Sequence, residues 1–99
     1  MLERVDSRIR RRFRAFLKVC AEPERLPEDE IRRAVVGSGQ RIVAWAVTYR
    51  DSGESYEARA ELQWYGRAGD YAQVPEFLRD LAMRAGAREV EWTPQASAL

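Results

Sequence analysis

The 99-residue chain contains no histidine and only one cysteine, Cys20. Histidine is the commonest general base near neutral pH, and it activates most serine and cysteine nucleophiles. A single cysteine can form neither an intramolecular disulfide nor a cysteine-only zinc site. The Gly37-Ser38-Gly39 string lacks the lysine and the glycine spacing of a phosphate-binding loop. We therefore predict a non-catalytic protein that uses no cofactor and no metal.

Long apolar runs are also missing. The longest, residues 42–47, has the length of a strand, whereas a membrane-spanning helix needs about 20 apolar residues. The charged N-terminus lacks the apolar core of a signal peptide. Hydrophobic residues make up 45% and charged residues 33% of the chain, which is typical of one globular domain. The lone cysteine favours a reducing, cytoplasmic location.

Net charge is low but unevenly distributed. The formal net charge is +1, yet residues 1–20 contain seven basic and two acidic side chains. A basic segment of this kind is a solvated surface, a nucleic-acid contact or an arm close to an anionic membrane. The candidate residues for contact with a membrane or a partner are Arg8, Arg10, Arg11, Arg12 and Arg14.

Two segments in the middle of the chain predict a β-hairpin. Residues 41–49 are rich in β-branched and aromatic side chains, which suit a strand. After a turn at residues 51–53, apolar residues alternate strictly with polar ones from Tyr56 to Trp64. This alternation predicts one packed face and one solvated face. We expect Val43 to share the packed face with the alternate residues of its strand.

Two helices are predicted on either side of this hairpin. The first covers residues 27–36, with Pro27 at its first position and three acidic residues that complement the helix dipole. The second opens with a capping box at Asp70 and ends at Gly86. A short strand follows, and we expect Pro94 to end it.

The N-terminal segment fits two patterns. Apolar residues from Leu2 to Leu17 have helical spacing, whereas alternate residues from Phe13 to Val19 fit a strand. We expect a basic lead-in over residues 1–9 and a strand over residues 11–20, because this completes a coherent βαββαβ order. Residues 10–94 are thus predicted to form a ferredoxin-like α+β sandwich, with two helices on one face of a four-stranded antiparallel sheet. Residues 95–99 are expected to be a flexible tail.

Three short strings are distinctive: RFRAFLKVC at residues 12–20, IVAWAV at 42–47 and GAREVEW at 86–92. Together with the order of elements, they resemble the C-terminal tail of the MgtC/SapB family of membrane proteins. The resemblance implies an ACT-like ferredoxin fold that follows a bundle of transmembrane helices on the cytoplasmic side of the inner membrane. Family members are associated with magnesium limitation and virulence. A stand-alone chain would be cytoplasmic.

The resemblance implies a regulatory or protein-interaction domain, whose partner is a second copy or the membrane domain. Two alternatives stay open. One is a dimeric small-molecule-sensing ACT domain, although the turn at residues 21–27 has two prolines and no glycine to let a ligand approach closely. The other is an RNA-binding ferredoxin-like module, which wants aromatic residues on the open sheet face, where we expect only Phe16. Nucleic acid is not an expected partner.

Overall fold

A computed structural model describes residues 11–66 and 75–95 of the chain. The described elements follow the order βαββαβ, and the strands form one antiparallel sheet in the order β2-β3-β1-β4. This is the predicted ferredoxin-like α+β fold. The elements are β1 (Arg11–Ala21), α1 (Glu28–Gly37), β2 (Arg41–Arg50), β3 (Ser55–Gly66), α2 (Glu76–Met83) and β4 (Ala87–Gln95).

The first strand lies inside the sheet, between β3 and β4. Every second residue from Phe13 to Ala21 is buried, with at most 2% of its surface exposed. The residues between them are exposed or half-buried. A period of two suits a strand that is covered on one face only, so the choice of a strand over residues 11–20 is confirmed. The predicted lead-in over residues 1–9 lies outside the described residues.

Both helices pack on the same face of the sheet and complete one core. Helix α1 contributes Ile31 and Val35, and α2 contributes Phe77, Leu78 and Leu81. Burial of each of these side chains stabilises the fold by roughly 1.5–3 kcal/mol. Aromatic rings close one end of the core, where Trp64 lies 5.8 Å from Phe13 and 5.7 Å from Trp92 between ring centroids.

Strand β2 departs from the predicted pattern at Val43. The register with β3 shifts between Ile42 and Ala44, so Val43 is an extra residue in a β-bulge. As a result Ile42 packs against the core, whereas 46% of Val43 is exposed. The prediction that Val43 faces the helices is therefore wrong. Trp45 and Val47, which follow the bulge, do pack against the core.

The element ends differ slightly from those predicted. Pro27 is the N-cap of α1 and not its first helical residue. Pro94 does not end β4, which continues to Gln95 with Pro94 opposite Ala15. A proline is tolerated there because β4 is an edge strand. The capping box predicted at Asp70 lies outside the described residues.

Candidate functional site: the open sheet face

The sheet face opposite the helices is left uncovered by the described part of the chain. We call it the open face. Because paired residues in neighbouring strands point to the same side, the strand register assigns its members. They are Arg12, Arg14, Phe16, Lys18 and Cys20 of β1, Arg41, Ala44, Ala46, Thr48 and Arg50 of β2, Ser55, Glu57, Arg59, Glu61, Gln63 and Tyr65 of β3, and Glu89, Glu91, Thr93 and Gln95 of β4.

Two neighbouring rows across the strands form the middle of this face. The first, the Phe16 row, consists of Ala44, Glu61, Phe16 and Thr93. The second, the Lys18 row, consists of Ala46, Arg59, Lys18 and Glu91. Phe16 is 44% exposed, and together with the two alanines it lines a shallow groove of about 610 Å³. The middle of the open face thus offers accessible apolar surface at Phe16 and the two alanines, interspersed with the charged side chains of Lys18, Arg59, Glu61 and Glu91.

Charged side chains around this centre pair with one another. The guanidinium of Arg14 lies 3.3 Å from the carboxylate of Glu61 on the neighbouring strand. The ammonium of Lys18 lies 3.6 Å from Glu91 and 3.9 Å from Glu89. Cross-strand pairs of this exposed kind contribute about 0.2–1 kcal/mol each. Their main effect here is to hold long side chains in place around Phe16.

Glu57 has a different environment from the other carboxylates of the open face. Only 4% of its side chain is exposed, because the guanidinium groups of Arg50 and Arg59 cover it. Arg50 donates a hydrogen bond to Glu57 at 2.8 Å, and Arg59 donates to the other carboxylate oxygen. The hydrogen bond from Arg59 is the main cause that lowers the pKa of Glu57. The carboxylate therefore stays ionised and acts as a fixed acceptor for two arginines.

Cys20 lies beside Glu57 on β3 and Glu89 on β4. Its thiol donates a weak hydrogen bond to Glu89 at 3.8 Å. Burial raises the pKa of Cys20, and the charge of Glu89 raises it further. Because the thiolate is the reactive form, this environment favours an inert thiol.

The predicted contact residues divide into two groups. Arg12 and Arg14 lie on the open face, and both are exposed. Arg11 is the first residue of β1. Arg8 and Arg10 lie outside the described residues, so their predicted role stays a prediction.

Sequence reasoning missed Tyr65, which shares the open face with Phe16 and is 63% exposed. The expectation that Phe16 is the only aromatic residue on this face is therefore wrong. The alternation from Tyr56 to Trp64 could have predicted this position, because the next residue of the same strand falls on the solvated side. Arg41 was also missed, because its place on the face depends on the pairing of β2 with β3.

The acidic first turn of α1 lies on the other side of the sheet. Glu28 accepts hydrogen bonds from the indole of Trp45 at 3.0 Å and from the hydroxyl of Tyr49 at 3.3 Å. The guanidinium of Arg32 pairs with Glu28 and lies 4.8 Å from the centroid of the Trp45 ring. These contacts stabilise the packing of α1 on β2. Over residues 11–66 and 75–95, no group of three acidic or thiol side chains is placed to hold a metal ion.

Comparison with models of known protein families found no match for this chain, and comparison with curated proteins found none either. Among the described helices, none has the length and apolar character to cross a lipid bilayer.

Proposed function

We propose that this chain is a non-catalytic protein-binding domain that uses the open face as its contact surface. We further propose that it is the cytoplasmic regulatory domain of an MgtC-like membrane protein. The observation that carries the first part is the accessible aromatic surface in the middle of the open face, where Phe16 is 44% exposed between paired charged residues. Protein interfaces of the non-obligate kind combine apolar and polar surface in this way, with exposed aromatic residues enriched.

The polar groups of the open face favour a protein partner over a small ligand. A small-molecule site orients its ligand with a few polar groups that converge on one point in a concave, largely enclosed pocket. Here the groove is shallow, and Arg14, Lys18 and Arg59 already pair with carboxylates of the same face. What the face offers is apolar surface interspersed with paired charges. A second protein surface can cover such a face without breaking those pairs.

The membrane assignment is supported by the element order and by the three strings that resemble the MgtC/SapB tail. The ferredoxin-like topology is the fold that this resemblance implies. Residues 1–10 would then connect β1 to the last transmembrane helix. Regulation would act through contacts of the open face.

Sequencing the gene upstream of the codon for Met1 tests the membrane assignment. We expect the reading frame to continue upstream and to encode several hydrophobic segments of about 20 residues each. A reading frame that contains no such segment would overturn the assignment.

Chromosomal substitution at Phe16 tests the protein-binding role in the organism. We expect Phe16→Asp to impair growth at limiting magnesium, because a charge at the centre of the face opposes burial. Met83→Asp is the matched control, since Met83 is 85% exposed at the end of α2, on the helix layer. Growth equal to wild type in the Phe16 variant, with normal protein abundance, would contradict the role.

A further inference from the structure

The charges of the open face differ between its two ends. One end carries Arg12, Arg14 and Arg41, and neither Arg12 nor Arg41 has an ion-pair partner within the described part of the chain. Toward the other end, on the β4 side, Glu89 and Glu91 share the single cation Lys18. The face therefore has a basic end, whereas its opposite end has an acidic corner on the β4 side and Arg50, paired with Glu57, on the β2 side. A surface with this arrangement complements itself when a copy is turned end for end.

We propose that the partner of the open face is a second copy of this chain. The two sheets would pack face to face, related by a two-fold axis that crosses the strands between the Phe16 row and the Lys18 row. This inference rests on the proposed protein-binding function and names its partner.

The rotation brings complementary groups together in the middle of the interface. Because the axis lies between the two central rows, the Phe16 row of one copy faces the Lys18 row of the other. Glu61 then lies over the second copy's Arg59, and Ala44 lies over its Ala46. Phe16 lies next to the axis, so the two phenylalanine rings pack on each other and on the aliphatic stem of Lys18. Every contact occurs twice, as a two-fold interface requires.

The same rotation carries Arg14 of each copy over the row that contains Glu57, Cys20 and Glu89, next to the acidic corner. Arg41 lies over Thr48 in the same row, and Arg12 lies over the following row, two strands away from Arg50. A two-fold axis parallel to the strands would instead place the two basic ends on each other. Like charges in contact are strongly unfavourable, so the charge pattern selects the arrangement in which facing strands run in opposite directions.

The size of the open face suits a stable dimer. Four strands spaced by about 4.8 Å are about 19 Å wide, and nine residues at about 3.3 Å each are about 30 Å long. Their product is about 570 Å² for each copy, or about 1,100 Å² in total, which exceeds the threshold of about 1,000 Å² for a specific interface.

The sheet edges are poorer places for a second copy. Edge strand β2 contains the bulge at Val43, and edge strand β4 contains Pro94. A bulge twists the edge, and proline has no N–H to donate, so both interrupt pairing with a further strand. We therefore expect two copies to associate through the open face and not through the sheet edges.

Sedimentation equilibrium over a range of protein concentrations tests the dimer. We expect the wild-type chain to dimerise and Phe16→Asp to raise the dissociation constant by about 30-fold or more. Met83→Asp is expected to dimerise as wild type does. Far-UV circular dichroism shows whether each variant is folded. A wild-type chain that stays monomeric up to about 1 mM would overturn the proposal, as would a folded Phe16→Asp variant that dimerises normally.

Chemical cross-linking tests the direction of the strands in a Cys20→Ser background. Thr48 and Gln63 are separated by three rows, or about 20 Å, within one copy, but the proposed rotation brings each to about 10 Å from the other across the interface. A short bismaleimide should therefore link the chain that carries both Thr48→Cys and Gln63→Cys into a covalent dimer. A chain that carries only one of the two substitutions should not form the covalent dimer. Cross-linking of Gln63→Cys alone would reveal parallel packing and overturn the proposed arrangement.

The outcomes separate this inference from the proposed function. A monomeric chain whose Phe16→Asp variant still impairs growth at low magnesium would overturn the dimer and support binding to a different protein. A dimer that Phe16→Asp dissociates, without any growth defect, would support the dimer and contradict the cellular role.

Discussion

Tyr56 and Glu57 are neighbours in β3, and their side chains point to opposite faces of the sheet. Tyr56 is 1% exposed in the core, and its hydroxyl donates to the backbone carbonyl of Leu26. Burial raises the pKa of Tyr56 to about 12. On the open face, the two guanidinium groups that cover Glu57 have the opposite effect and favour the ionised carboxylate. A hydrogen-bonded polar group therefore stabilises each face of the sheet, Tyr56 on the core side and Glu57 on the open side.

We expect Tyr56→Phe to lower the free energy of unfolding by about 1–2 kcal/mol, because it leaves the carbonyl of Leu26 without its donor. Tyr49→Phe is the control. Its hydroxyl is exposed and donates to Glu28 at 3.3 Å, so its removal should change stability by less than about 0.5 kcal/mol. Urea denaturation measures both values. Equal losses in the two variants would contradict the role of the buried hydroxyl.

The lowered pKa of Glu57 predicts a pH-dependent contribution to stability. The folded-state pKa lies below the ordinary value of 4.5, so the unfolded chain binds a proton first as the pH falls. The stabilisation is therefore fully present above pH 4.5 and is lost as the pH falls through the lower folded-state value. Urea midpoints of wild type and Glu57→Gln should differ most near neutral pH and converge in acid.

Glu54→Gln, in the exposed turn before β3, controls for the loss of one negative charge. A gap between wild type and Glu57→Gln that stays constant from pH 7 down to pH 2 would contradict the lowered pKa.

Among the elements, the connection between α2 and β4 is the most constrained. Gly86 has φ of +95°, and its carbonyl accepts a hydrogen bond at 2.9 Å from the backbone N–H of Glu22. A Cβ atom at this position would lie 2.5 Å from the Cβ of Arg25. The turn after β1 and the turn before β4 therefore pack backbone to backbone, and only glycine fits between them.

We expect Gly86→Ala to destabilise the fold by about 2–4 kcal/mol, which combines the penalty of positive φ with the steric overlap on Arg25. Gly39→Ala is a matched control, because Gly39 has φ of +91° but no atom within 4 Å of the added Cβ. It should lose only about 1–2 kcal/mol, the penalty of positive φ alone. Thermal unfolding followed by circular dichroism compares them, and equal losses would show that the overlap is relieved by small shifts.

At the scale of the whole molecule, the two helices and four strands share one core. Trp45, Trp64 and Trp92 lie on three different strands, and all three pack against this core. A small domain with a single core unfolds as one cooperative unit. No described element has a separate cluster of its own from which it could unfold independently.

We therefore expect tryptophan fluorescence and far-UV circular dichroism to report the same urea transition, with equal midpoints and slopes. Fluorescence follows the three strands, whereas circular dichroism near 222 nm is dominated by the two helices. The two probes must be compared at one protein concentration, because dimerisation would shift both midpoints. A fluorescence transition that precedes the loss of helix would show that the sheet and helices unfold separately.

Much of the fold followed from local patterns. The alternation from Phe13 to Val19 and from Tyr56 to Trp64 predicted strands with one buried face, and both are confirmed. The exposure of Val43 could not be predicted, because a bulge depends on how β2 pairs with β3. Of the candidate site, Phe16 was assigned to the correct face, and Arg12 and Arg14, which were predicted to contact a membrane or a partner, lie on the same face. Tyr65 was missed because the alternation was followed only from Tyr56 to Trp64.

By itself, the sequence determined the order of helices and strands and which side chains of each strand avoid water, because both depend on spacing within one segment. Only the tertiary structure decided that Glu57 lies beneath two arginines, that Phe16 lies among alanines and paired charges, and that a basic end and an acidic corner lie at opposite ends of one face. These features depend on the register between segments that are distant in the chain. That register is set by the packing of the whole sheet on its helices.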